Sequence, residues 1–220
     1  IYRFGSDLLG DVTAMAQHAD GSIWYGTSDK GVIGFNGQMA SLKVSCMGNT
    51  PDGSIWIGSK RNGLTRIKDG VSTIYSVAKD SVRTIIDDHI NDLTTDKIGN
   101  LWIATNGGLQ VYNPRMNSFS SYTRENGKLS TNSITCLFYK QDATENNLLI
   151  GTSEGLIILN LSTTEKKVYT GNSTNLKSFT NNYITQIFQD SRGLIWVGTR
   201  EGLNILNLET DELDYLTEKQ

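Results

Sequence analysis

Proline is nearly absent from this sequence, with 2 residues in 220, and cysteine and histidine are equally scarce at 2 each. So little proline excludes a stiff Pro-rich linker. Cys46 and Cys136 fall in different stretches of chain at the same position of a repeat set out below. They read as small buried residues on an inner strand, not as a disulfide pair. His18 and His89 stand in different registers, and two such histidines with two such cysteines do not make a zinc site. No Gly-x-Ser-x-Gly elbow, P-loop or His-Glu-x-x-His is present, so no catalytic machinery and no cofactor are expected. An excess of positive charge is missing too: 20 Lys and Arg face 23 Asp and Glu, for a net charge of −3. Without a basic stripe to neutralise phosphates, no nucleic-acid partner is expected. No apolar run approaches the ~20 residues of a membrane helix. No signal peptide opens the chain, but Ile1-Tyr2-Arg3-Phe4 reads as the middle of a strand. The expectation is a segment of a longer protein, and the missing signal says nothing about export.

Glycine, by contrast, is abundant at 22 residues, which suits many tight turns between short strands. Laying the chain on itself shows why. Tryptophans fall at Trp24, Trp56, Trp102 and Trp196, and Leu149 stands where a fifth is expected, at intervals of 32, 46, 47 and 47 residues. A period of this length marks a repeat architecture. The offsets are stronger evidence than the period. Twelve residues before four of these positions stands a β-branched residue (Val12, Val44, Ile90, Ile184), and nine residues after each of those a glycine (Gly21, Gly53, Gly99, Gly193). In the fourth repeat Ile134 precedes Leu149 by fifteen, with the extra residues in the polar stretch 141–147. A further glycine follows the aromatic position by six or seven residues: Gly31, Gly63, Gly108, Gly155, Gly202.

Each repeat holds four strand-sized pieces separated by turn residues. Connections of two to five residues force antiparallel up-and-down pairing, since parallel strands need long crossovers. A lone four-stranded sheet with apolar residues on both faces must be covered on both. Twisted sheets stacked radially do this. The reading is an all-β, β-propeller protein with blades at about 11–43, 44–80, 89–125, 133–170 and 183–217, and residues 1–5 as the outer strand of a preceding blade. A flat solenoid is the weaker alternative, because its strands are usually parallel.

The phrases Gly21-Ser22-Ile23-Trp24-Tyr25-Gly26-Thr27, Gly53-Ser54-Ile55-Trp56-Ile57-Gly58-Ser59, Gly99-Asn100-Leu101-Trp102-Ile103-Ala104-Thr105 and Gly193-Leu194-Ile195-Trp196-Val197-Gly198-Thr199 share one core. Gly63-Leu64, Gly108-Leu109, Gly155-Leu156 and Gly202-Leu203 follow it. The lead-in appears as Leu129-Ser130-Thr131-Asn132-Ser133-Ile134 and as Ser178-Phe179-Thr180-Asn181-Asn182-Tyr183-Ile184. Together they resemble the two-component regulator propeller repeat over nearly the whole chain. The departures are the short first repeat, Gly31-Val32 for Gly-Leu, and the fourth repeat without tryptophan. The resemblance implies the extracytoplasmic, periplasmic sensor part of a membrane-anchored hybrid histidine kinase/response regulator, with an oligosaccharide as ligand. It also implies a parent propeller of seven blades, of which five are present. A protein-interaction scaffold and a propeller lyase stay open as alternatives.

Recurrence in one register marks the tryptophans as packing between blades, not as sugar platforms. Asp20, Asp52, Asp96 and Asp190 read as turn residues capping their own backbone, since calcium loops need more oxygens at alternating positions. The better ligand candidates lie where the connection between strands two and three opens on the same face as the connection between blades. The candidate binding residues there are Lys60, Arg61, Arg83, His89, Asn106, Arg200 and Glu201. Asp29, Lys30, Asn62, Glu154, Asp88, Asn132, Asn181 and Asn182 share those loops; Asn132 and Asn182 recur in register, which favours a turn or cap role. Exposed end blades predict self-association.

Overall fold

The computed structural model describes residues 11–18, 20–34, 37–40, 42–77, 84–141, 146–171 and 178–216. Among them there is no helix, and every strand falls into one of five four-stranded sheets. The first blade is β1 (Val12–Gln17), β2 (Ile23–Thr27), β3 (Val32–Gly34) and β4 (Gly37–Ala40). The second is β5 (Val44–Asn49), β6 (Ile55–Ser59), β7 (Leu64–Lys68) and β8 (Val71–Tyr75). The third is β9 (Ile90–Thr95), β10 (Leu101–Thr105), β11 (Gly108–Asn113) and β12 (Ser118–Tyr122). The fourth is β13 (Ile134–Gln141), β14 (Asn146–Thr152), β15 (Gly155–Asn160) and β16 (Lys166–Tyr169). The fifth is β17 (Ile184–Gln189), β18 (Ile195–Thr199), β19 (Gly202–Asn207) and β20 (Glu212–Leu216). All pairings are antiparallel between neighbours in sequence, which is the up-and-down meander of a propeller blade. The expected strand at residues 1–5 lies outside the described residues.

Two compact units result, one ending at Tyr122 and holding blades 1 to 3, the other beginning at Thr123 and holding blades 4 and 5. Within each unit the first strands of successive blades lie side by side: β1 with β5, β5 with β9, and β13 with β17. The apolar faces they leave are covered by the next blade. Trp24 packs with Val44, Met47, Ile55 and Ile57. Trp56 packs with Ile90, Leu93, Leu101, Ile103 and Tyr112. Leu149 packs with Ile184, Ile187, Ile195 and Val197. The indole register therefore fills gaps between blades, as its recurrence predicts. Trp196 differs: it is only half-buried.

The four-residue turn between the first two strands explains the glycine at offset nine. Gly53 N–H bonds to the Thr50 carbonyl and Thr50 N–H to the Ser54 carbonyl, and the same pair recurs at Gly99 and Gly193. The turn glycine sits at φ of 80 to 90° in all four blades that carry it, a region that favours glycine. The aspartates do cap it, as expected: Asp52 Oδ1 accepts from Ser54 N–H at 3.1 Å, and Asp20 Oδ1 from Ser22 N–H at 2.8 Å. Asp96 and Asp190 do more. Their second oxygen accepts the indole N–H of Trp102 and of Trp196, each at 3.0 Å. In blade 2 the Thr50 hydroxyl takes the Trp56 indole at 3.0 Å and is itself held by Asp52 at 2.6 Å. A buried indole N–H needs an acceptor, and the blades meet that need with different residues at one place.

Every first strand carries a bulge after its first residue, at Thr13, Ser45, Asn91, Thr135 and Thr185. The extra residue is released from the ladder. Thr13 uses its hydroxyl to bond the Val44 carbonyl of the next blade at 2.8 Å, and Ser45 bonds the Ile90 carbonyl at 2.7 Å. Cys46 and Cys136, one residue further on, are free and buried, as read from the sequence. Burial pushes the Cys46 thiol well above its ordinary value, so it is inert as a nucleophile.

Candidate functional site

The face on which the second and third strands connect is built by a hydroxyl. Thr27, Ser59, Thr105, Thr152 and Thr199 close the second strand of each blade. Each donates to the carbonyl of the following turn glycine at 2.7 to 3.2 Å. The same oxygens accept a backbone N–H from inside the turn: Lys30, Asn62, Gly107, Glu154 and Glu201. These turns are therefore rigid stages, and the side chains at their tips project outward.

The connections between blades arrive on the same face, and here the sequence reading needs correction. Asp88, Asn132 and Asn182 stand two residues before the first strand in three blades. Each accepts a backbone N–H from the chain leaving the previous sheet: Val77 at 2.8 Å, Arg124 at 2.7 Å and Gly171 at 2.5 Å. Asn132 and Asn182 thus have the cap role expected of them. Asp88, taken as a ligand candidate, is a clamp of the same kind. Asn181 is also committed, its Oδ1 accepting Tyr183 N–H at 2.7 Å. Three residues before each clamp an apolar side chain is buried, Ile85, Leu129 or Phe179. Two buried amides were missed from the sequence: Gln110 Oε1 holds Ile86 N–H at 2.8 Å, and Asn204 Oδ1 holds Thr180 N–H at 3.0 Å. Their signal was a polar residue two places after the turn glycine on an otherwise apolar strand.

Among the named candidates, Lys60 and Arg61 come together. They line a groove of about 800 Å³ with Ser28, Asp29, Leu42, Lys43 and Asn62, between the tips of blades 1 and 2 and the connection joining them. Lys43, Lys60 and Arg61 are exposed, and among the described residues none of them is in an ion pair; Asp29 is the one carboxylate in the lining. The others lie apart. His89 is half-buried on the connection into blade 3, its backbone N–H bonded to Asp87 Oδ1 at 2.7 Å. Asn106 is exposed and accepts from Asn91 Nδ2 at 2.9 Å. In the second unit, the Arg200 guanidinium carbon lies over the Tyr183 ring, 3.6 Å from its centroid, and Glu201 is exposed beside it in the same turn. Arg83 lies outside the described residues.

Four-stranded meanders with first strands side by side, hydroxyl-locked turns and tryptophans in the gaps define a protein of the β-propeller class. Two stretches, residues 84–107 and 178–201, match the family model of the two-component regulator propeller. One of these matches falls in each of the two units. No curated protein matches the sequence. Among solved structures, the chain is similar to the extracellular domain of the hybrid two-component system BT3049 of B. thetaiotaomicron. The TM-score is 0.75 at 20% identity, covering 98% of this chain and 32% of that one. It is similar also to the extracellular domain of the hybrid two-component system BT4673 of the same organism, with a TM-score of 0.71 at 25% identity, covering 93% and 28%. Virginiamycin B lyase of Staphylococcus aureus gives a TM-score of 0.68 at 14% identity, covering 94% and 70%. The chain thus spans about a third of the first two proteins.

Proposed function

We propose that this chain is part of the extracellular, ligand-sensing propeller of a hybrid histidine kinase/response regulator, located in the periplasm of a membrane-anchored parent, and that it is not itself an enzyme. The family-model match in each unit supports the sensor role, and so does the likeness to extracellular domains of hybrid two-component systems. The likeness to a lyase at 14% identity carries fold alone. The observation that carries the ligand reading is the groove lined by three exposed cations, Lys43, Lys60 and Arg61, without an ion pair among the described residues, and by a single carboxylate, Asp29. Arginine's planar fork matches a carboxylate, and lysine and amide donors suit hydroxyls. An oligosaccharide bearing a uronate is the ligand class with both features. Its binding would shift the parent between two arrangements in proportion to its preference for one of them.

Calorimetry with neutral and uronate-containing oligosaccharides tests this. Binding of the uronate series is expected, and Arg61→Met with Lys60→Met should weaken it at least tenfold while leaving the fold intact, since both side chains are exposed. Heat from no glycan would favour the scaffold alternative.

A further inference from the structure

The gap between blades 4 and 5 holds less than the gap between blades 2 and 3, and the strand registers show where. On the face that blade 2 turns to blade 3, Trp56 pairs with Arg66; in blade 4 the matching pair is Leu149 and Ile158. Across the first gap stand Tyr112 and Phe119, and Leu206 and Leu213 hold their registers across the second. Three rings and a guanidinium in one gap thus correspond to four aliphatic side chains in the other. Leu149 and Leu206 still close the inner part, both 0% exposed.

Toward the outer strands β15 and β16 the gap stays open, as a pocket of about 550 Å³. Asn147, Ile158, Asn160, Lys167 and Tyr169 line it from the blade 4 face that carries Leu149, and Leu208 lines it from blade 5. Ile158, Tyr169 and Leu208 supply apolar wall, and the charges around the mouth cancel. Glu165 stands there against Lys166, and Lys167 is paired with Asp211 at 2.6 Å. The cationic groove of the first unit has no such balance. Lys167 also lies over the Tyr169 ring, 5.0 Å from its centroid. A ring and a cation are what lie against Trp56: Tyr112 at 4.8 Å and Arg66 at 5.3 Å.

We infer that this pocket binds an uncharged, planar aromatic molecule about the size of an indole, in the place that Trp56 fills in the first unit. A small side chain where the repeat calls for a large one leaves room that an apolar ring from outside can take. A volume of this order suits a small ligand, and a lining whose charges cancel favours an uncharged one. The Tyr169 ring and the Lys167 ammonium favour an aromatic group over an aliphatic one, through ring contact and cation–π attraction. The pocket lies in the second unit and the cationic groove in the first, so binding here does not depend on what the groove takes.

Fluorine NMR of 5-fluoroindole with the full chain and two variants tests it. Saturable binding is expected, displaced by indole and not by cyclohexanol at the same concentration. Leu149→Trp fills the pocket from blade 4, and Leu208→Trp fills it from blade 5, where the side chain is half-buried; urea unfolding shows whether each variant folds. Each should weaken binding at least tenfold, although rings exposed elsewhere on the chain are left as they are. Should Leu149→Trp not fold, Leu208→Trp decides alone. A chain that binds no 5-fluoroindole overturns the inference. So do folded variants that bind it like the unaltered chain, or cyclohexanol displacing it as well as indole does.

Discussion

Between blades 2 and 3 the gap is filled by rings and charge; between blades 4 and 5 it is filled mainly by aliphatic side chains, with Phe179 stacked on Tyr169 beside them. In the first, Trp56 lies 4.8 Å from Tyr112 and 5.8 Å from Tyr75, with Phe119 at the edge of the cluster. Arg66 lies over the Trp56 and Tyr112 rings and reaches Ser54 at 2.8 Å, Asp52 at 2.6 Å and the Tyr112 hydroxyl at 3.2 Å. In the second, Leu149, Ile158, Ile184, Ile187, Ile195 and Val197 meet with little polar chemistry inside, and Lys167, Tyr169 and Asp211 close the outer rim. The register of the strands is the same in both. Spacing therefore specifies the architecture, and the filling is interchangeable so long as its volume fits. The polar filling carries an added obligation: each buried donor must find its acceptor, and losing one partner leaves the other unsatisfied.

The comparison breaks most sharply at its centre. Trp56→Ala should cost about 3–5 kcal/mol, because it deletes a fully buried ring on which Tyr112 and Arg66 pack. Trp196→Ala should cost clearly less, since that ring is half-buried; urea unfolding of the two variants measures the difference. The small residue beside these rings comes next. Gly151→Ala should cost about 1–3 kcal/mol by overpacking against Cys136 and Ile184, whereas Gly198→Ala should be nearly neutral, and thermal unfolding separates them.

The smallest effect is a pH dependence. The Trp196 indole N–H and the Arg192 guanidinium hold the Asp190 carboxyl down at about 2, against an ordinary 3.8. In blade 2 burial pushes the Asp52 carboxyl up, but hydrogen bonds from Thr50, Ser54 and Lys68 outweigh it and hold the group well below the usual range. A depressed carboxylate stabilises the fold fully above its unfolded value and loses that contribution as pH falls through the folded one. Stability should thus be flat above about pH 5 and decline toward pH 2. Asp190→Asn should flatten part of that decline, as followed by urea midpoints across the range.

Most of the fold was legible in the sequence because the repeat multiplies each signal: one tryptophan three residues before a Thr or Ser is weak, but four in register with their turn glycines are not. What escaped notice was what the backbone decides. The bulge at Thr13, Ser45 and Asn91 leaves no mark except a polar residue after a β-branched one. The indole acceptors escaped because their identity changes, from Asp96 to Thr50. The site was less legible. Loop position put Lys60 and Arg61 on one turn tip, but it gave no sign that Asn106 bonds to Asn91 or that Asp88 clamps Val77.

The hydroxyls that Thr13 and Ser45 donate forward from their bulges give the stack of the first three blades a sense of direction, because donor and acceptor sit on opposite sides of one blade. A repeat built this way brings both halves of every joint with it. Duplicating one in the gene would insert a piece whose leading edge already matches its new follower and whose trailing edge matches its new predecessor. Changes in blade number then demand no compensating substitutions at the seams, which leaves the turn tips free to diverge while the spokes keep their pattern.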